Sequence, residues 1–170
     1  GQLSIFFGSN DDKIYAVDSD GNSLSGWPIE VNGTIGGSVV FSDLDGDGQA
    51  EVLASTDMGE IVAFHLNGDA YPYFPIVNDI PFSGSPMTTD LDNDGDLEIL
   101  TGSSSNLFVI DIKESGSNSN YWNMFRGNVK RTGTYLPGDD DPSCGADLGD
   151  VTGDGNINIL DLVQIANYIL

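Results

Sequence analysis

Apolar residues in this chain come in short unbroken runs, as in Glu51-Val-Leu-Ala-Ser55 and Glu60-Ile-Val-Ala-Phe-His65, set between clusters of Gly, Asn, Asp and Ser. Apolar runs this short between turn-forming clusters predict short strands joined by tight polar turns. Strands are predicted near Ser38 to Ser42, Glu51 to Ser55, Glu60 to His65 and Tyr73 to Val77, and again at Leu3 to Phe7 and Lys13 to Val17. The pattern changes only at the C-terminal end. From Ile159 onward, Leu162, Val163, Ile165, Ala166, Ile169 and Leu170 join it on one broad side of a predicted helix, a stripe that one helix cannot bury alone.

The strand pattern repeats. Asp43-Leu-Asp-Gly-Asp-Gly-Gln-Ala-Glu51 recurs 47 residues later as Asp90-Leu-Asp-Asn-Asp-Gly-Asp-Leu-Glu98. The same shift carries Lys13-Ile-Tyr-Ala-Val onto Glu60-Ile-Val-Ala-Phe and Gly26-Trp-Pro-Ile29 onto Tyr73-Phe-Pro-Ile76. A third copy starts at Ile99 and, one residue shorter, aligns Asn106-Leu-Phe-Val-Ile-Asp111 with Lys13 to Asp18. Four short strands per period are the content of one β-propeller blade. The expected fold is therefore mainly β: a partial β-propeller of four-stranded antiparallel blades, about two and two-thirds of them, plus a small C-terminal calcium-loop and helix module. By this count the chain enters inside a blade at its second strand. An incomplete ring exposes strand edges that something outside it must cover.

Residues 1–136 are assigned to the blades. Their exit, Tyr121-Trp-Asn-Met-Phe-Arg-Gly-Asn128, carries Arg126 and is followed by Lys130 and Arg131; it reads as an aromatic staple tucking the last strand against its sheet. Residues 137–146, acidic with Pro and Gly, form a linker, and 147–170 a second module.

The alternate carboxylates carry the chemistry. Asp43, Asp45 and Asp47 alternate, Gly48 permits a sharp turn, and Glu51 returns a carboxylate at the ninth position. Side chains at alternate positions of a tight loop converge on one centre, and a main-chain carbonyl, here that of Gln49, completes an oxygen cage of the kind calcium prefers. Asp90, Asp92, Asp94, the Asp96 carbonyl and Glu98 repeat it. Asp18-Ser-Asp-Gly-Asn22 looks similar but has Leu24 and Gly26 where the last ligands belong, so it reads as a hairpin turn. A third run, Asp150 to Asp161, has twelve-residue EF-hand spacing: Asp150, Thr152, Asp154, the Asn156 carbonyl, Asn158 and Asp161 occupy the ligand positions, with Gly155 at the turn. Thr152 and the Asp at the last position favour weak binding. Magnesium fits less well because it demands octahedral geometry, and zinc lacks its His and Cys ligands.

Twenty-seven acids against five bases give a formal charge of −22. Such a charge repels nucleic acid and anionic membrane and opposes compaction unless cations offset it. Three calcium ions would bring it to about −16. No stretch is long enough for membrane insertion. Cys144 is the only cysteine, so no disulfide forms within the chain. His65 is the only histidine, and the paired carboxylates are committed to cages, so the chain is expected not to be an enzyme.

On these residues, the repeats resemble FG-GAP repeats of integrin-type propellers, through the DxDxDGxxE pattern that recurs in register. Leu148-Gly-Asp-Val-Thr-Gly-Asp-Gly-Asn-Ile-Asn-Ile-Leu-Asp-Leu-Val163 resembles the first half of a type I dockerin. The resemblance implies an extracellular, secreted or cell-surface calcium-binding module that docks on a protein partner, cohesin-like by analogy with dockerins, which carry two such repeats where this chain has one. Two other expectations follow: self-assembly with copies of itself through open blade edges and the helix, giving an oligomer or filament, and service as the C-terminal anchor of a larger polysaccharide-degrading enzyme.

Overall fold

The computed structural model describes residues 3–128 and 130–133. The first sheet comprises β1 (Ser4–Gly8), β2 (Lys13–Asp18) and β3 (Ile29–Glu30), and the middle sheet β4 (Val40–Ser42), β5 (Glu51–Ser55), β6 (Glu60–His65) and β7 (Ile76–Val77). The third comprises β8 (Met87–Thr89), β9 (Asp96–Gly102) and β10 (Leu107–Ser115). Within each sheet the strands lie in chain order and every neighbouring pair is antiparallel, the arrangement that tight hairpin connections produce. No sheet closes on itself, and there is no helix among the described residues.

The repeat is visible in the register. Leu53 of β5 faces Val40 of β4, and 47 residues later Leu100 of β9 faces Met87 of β8. The first sheet has the counterparts of β5, β6 and β7 but, among the described residues, none of β4. The strand expected over Tyr73 to Val77 shrinks to Ile76–Val77 because Tyr73 takes a left-handed conformation (φ 66°) and the Phe74 amide donates to the Tyr71 carbonyl, which makes this stretch a turn. In the other direction, β10 runs past Asp111 to Ser115, with an irregularity after Ile112.

Two cores flank the middle sheet, one on each face. Val52, Ala54, Val62 and Phe41 pack with Ile14, Ala16 and Trp27 of the first sheet's side, while Val40, Leu53, Ile61 and Ala63 pack with Leu97 and Ile99 of the third. This is why all five residues of β5 are buried although their side chains alternate in direction. Aromatic edges lock the first contact: Phe6 meets Trp27 and Phe41 at centroid distances of 5.2 and 5.3 Å, both near perpendicular. Trp27 places its Nε1–H on the Leu66 carbonyl at 2.9 Å, so its one polar group is satisfied in the core. There the turn after β2 lies against the turn after β6. A Cβ at Gly26 (φ 86°) would come within 1.9 Å of the Asn67 carbonyl oxygen, so only glycine allows that approach.

After β10 the chain turns back along β4 and β8, the first strands of their sheets. Asp43 and Ser117 exchange amide–carbonyl bonds at 2.9 and 2.7 Å, the Phe41 amide donates to the Trp122 carbonyl, and the Thr88 amide donates to the Asn123 carbonyl. Asn118 and Asn123 both donate side-chain amides to the Thr88 carbonyl. The segment read as an aromatic staple thus does more backbone work than aromatic packing, because it satisfies the outer edges of β4 and β8. The linker over 137–146, Cys144, and the module over 147–170 with Asp150, Thr152, Asp154, Asn156, Asn158 and Asp161 lie outside the described residues.

Candidate metal centres

Each acidic loop joins the first strand of a sheet to the second, β4 to β5 and β8 to β9. The turn geometry follows from residues that tolerate left-handed backbone. Gly46 (φ 73°) and Gly48 (φ 84°) have Asn93 (φ 62°) and Gly95 (φ 96°) as counterparts, and asparagine is the non-glycine residue best suited to that region. With these two positions turned, the loop folds back on itself and acids from its two ends approach one another. Asp43, Asp45 and Glu51 each bring one oxygen within 4.8 Å of the others, and Asp92, Asp94, Asp96 and Glu98 do the same.

The loops share their anchoring bonds. Asp43 Oδ2 accepts the Gly48 amide at 3.0 Å, and Asp90 Oδ2 accepts the Gly95 amide at 3.2 Å. Glu51 Oε2 accepts the Leu44 amide at 2.8 Å, and Glu98 Oε2 accepts the Leu91 amide at 2.5 Å. These bonds tie the start of each loop to its end. They use one oxygen of each carboxylate and leave Asp43 Oδ1 and Asp90 Oδ1 buried without a hydrogen-bond partner; Asp96 Oδ1 is in the same condition. A buried carboxylate oxygen with no donor costs free energy unless a cation meets it. The donor set is all oxygen, which fits a hard cation.

The carboxylates that converge differ in detail from those the spacing alone suggests. Asp47 is taken up locally, its Oδ1 accepting the Gln49 amide at 2.7 Å and its Oδ2 the Gln49 side-chain amide at 3.1 Å, and it lies outside the first carboxylate group. Asp90 lies outside the second, whereas Asp96, expected to offer only its carbonyl, adds its carboxylate. The surroundings differ too. Glu51 is fully buried and its Oε1 contacts His65 Nδ1 at 3.0 Å. Burial pushes the Glu51 carboxyl up, against the opposing pull of the Leu44 amide and His65. In the second loop the contact between Asp94 and Asp96 pushes the Asp96 carboxyl up and the Asp94 carboxyl down. Lys113 stands beside this loop, paired with Asp111 and 3.7 Å from Asp96 Oδ2.

The look-alike run at Asp18 is a hairpin turn: Asp18 Oδ1 accepts the amides of Asp20 and Asn22 at 2.9 and 2.8 Å, and Asp18 belongs to no group of three converging acids among the described residues. Sequence reasoning did not foresee His65 beside Glu51. Its one available signal was the register of the β5–β6 hairpin, which sets position 51 opposite position 65.

No curated protein matches this chain. Residues 43–101, from the first acid of one loop through the whole of the other and into β9, match the family described as the FG-GAP-like repeat.

Proposed function

We propose that this protein is a secreted, calcium-dependent, non-catalytic binding and assembly module whose repeats are blades of an incomplete propeller. The observation that carries the calcium reading is the set of buried, unpartnered oxygens at repeat-equivalent positions, Asp43 Oδ1 and Asp90 Oδ1, in loops whose other carboxylates already converge. Asp43, Asp45 and Glu51 would hold one ion, and Asp92, Asp94, Asp96 and Glu98 another, with Asp90 joining them through Oδ1 as Asp43 does at the equivalent position. A bound ion would supply positive charge and fixed coordination, relieving the repulsion among acids in a chain of charge −22. The residues themselves orient the turn between the first two strands of each blade, so cation binding and blade geometry are coupled. Docking to a partner through the dockerin-like segment belongs to the same proposal on sequence alone.

Calorimetric titration of the chelator-treated chain with calcium and, separately, magnesium tests it. Binding of at least two calcium ions, with a rise in melting temperature that magnesium does not match, is the expected result. No heat of binding and an unchanged melting temperature would sink it.

A second reading, association of the sheets with further repeats or with copies of the chain, is favoured by where the exposed apolar residues fall. Ile5 and Phe7 on the first sheet are counterparts of Val52 and Ala54, and Leu107 and Val109 on the third are counterparts of Ile61 and Ala63. The middle-sheet residues are buried against a neighbouring sheet, whereas the outer ones are 43–69% exposed. Light scattering across a concentration series checks this, since a monomer at every concentration excludes copies as the partner.

A further inference from the structure

The inner edge of the first sheet is built differently from the inner edges of the other two. In the middle and third sheets that position is filled by β4 and β8, three-residue strands drawn from Gly37-Ser-Val-Val-Phe-Ser42 and Gly84-Ser-Pro-Met-Thr-Thr89, whose own outer amides are covered by the 122–123 backbone. Beside β1 the same position is a groove of about 640 Å³, lined by every residue from Leu3 to Gly8 on one side and by Ser38, Val39, Phe41 and Trp122 on the other. The Ser9 amide bonds the Lys13 carbonyl, as the Thr56 amide bonds that of Glu60. In an antiparallel ladder the alternate residues Ser4, Phe6 and Gly8 therefore turn their amides and carbonyls away from β2 and into the groove. Among the described residues nothing pairs with the backbone of Phe6 on that side.

We propose that this groove takes up an extended polypeptide strand of the β4 and β8 type, antiparallel to β1, as an added strand of the first sheet. The register follows from the repeat. Val40 and Met87 lie opposite Leu53 and Leu100, whose counterpart is Phe6; Ser42 and Thr89 lie opposite Glu51 and Glu98, whose counterpart is Ser4. The incoming strand thus carries an apolar residue opposite Phe6, a residue of free choice opposite Ile5, and a hydroxyl residue opposite Ser4. The apolar residue extends the core made by Phe6 and Phe41. Between the two filled positions, the Ser38 amide donates to Ser85 Oγ at 2.7 Å. Ser38 is the repeat counterpart of Ser85 and lines the groove, so its hydroxyl stands ready for the same bond from the incoming chain. Main-chain pairing supplies affinity and the alternate pockets supply selectivity, as in other additions to a free sheet edge. The inference does not depend on any cation.

The test joins a strand of sequence Gly-Ser-Val-Val-Phe-Ser ahead of Gly1 through a flexible linker, which makes the pairing intramolecular. A control carries proline at the two strand positions whose amides would face β1. Hydrogen exchange is followed at Phe6 in the full chain. The expected result is slowing of the Phe6 amide by about tenfold or more in the fusion and not in the proline control. Equal exchange in the parent chain, fusion and control would overturn the proposal. So would a Phe6 amide already slow in the parent chain and speeding up on dilution, because a second copy would then be the occupant.

Discussion

The two acidic loops have nearly the same sequence and different settings. In the first, Glu51 is fully buried, braced by the Leu44 amide and by His65, and Asp43 is tied to Ser117. In the second, the acids are more exposed, a fourth carboxylate joins the group through Asp96, and Lys113 stands alongside as a competing cation. One acidic pattern is thus set in two ways, by desolvation in the first loop and by surplus charge with a counterion in the second. The difference arises because the first loop belongs to the sheet covered on both faces.

Removing an acid from both loops should have the largest effect. The double variant D43N/D90N is expected to lose the calcium-dependent rise in thermal stability, about 2.7 kcal/mol per site when calcium stands about a hundredfold above Kd, with each single variant losing about half. Scanning calorimetry in calcium and in chelator measures it, and a single variant that abolishes the whole effect would show that the loops act as one.

The next effect concerns pH. Because burial raises the Glu51 carboxyl, the folded chain without calcium holds that proton more tightly than the unfolded chain. This contribution to stability is complete below the ordinary glutamate range and is lost as pH rises through the raised value. Glu51→Gln in chelator should flatten that decline and raise the melting temperature near neutrality by about 2–4 °C, or about 1 kcal/mol, while weakening calcium binding. A melting curve that falls with pH as steeply as in the parent chain would count against burial as the dominant influence on Glu51.

Smaller changes sharpen the contrast. His65→Ala removes one bond from Glu51, at a cost of about 0.5–1.5 kcal/mol in chelator, read by urea unfolding. Lys113→Ala removes the exposed counterion of the second loop only; calorimetric titration should find calcium affinity there raised by about two- to fivefold and the first loop unchanged. Equal shifts at both loops would indicate a long-range charge effect instead of a local one.

Much of this architecture was legible in the sequence because short apolar runs set between Gly, Asn and Asp turns are written locally. The strands Glu51–Ser55 and Glu60–His65 fall where those runs place them, and the turn at Asp18 reads correctly from its missing last ligands. Asp47 and Asp90 show what spacing leaves open. Both fall in the alternating acidic runs, yet Asp47 bonds Gln49 and Asp90 is not among the carboxylates within 4.8 Å of one another. Which oxygens converge depends on side-chain torsions and neighbours that spacing does not encode.

By itself, then, the sequence determined the repeat, the strands, the turns that need glycine or asparagine, and the acids available to a cation, since each depends on a few neighbouring residues. Only the tertiary structure decided that the middle sheet is buried on both faces, that His65 braces Glu51, that the 117–123 segment covers the edges of β4 and β8, and that a groove runs along β1 with no strand paired there among the described residues. Those features join residues tens of positions apart, and their free energy comes from desolvation and backbone pairing that exist only once the sheets have packed.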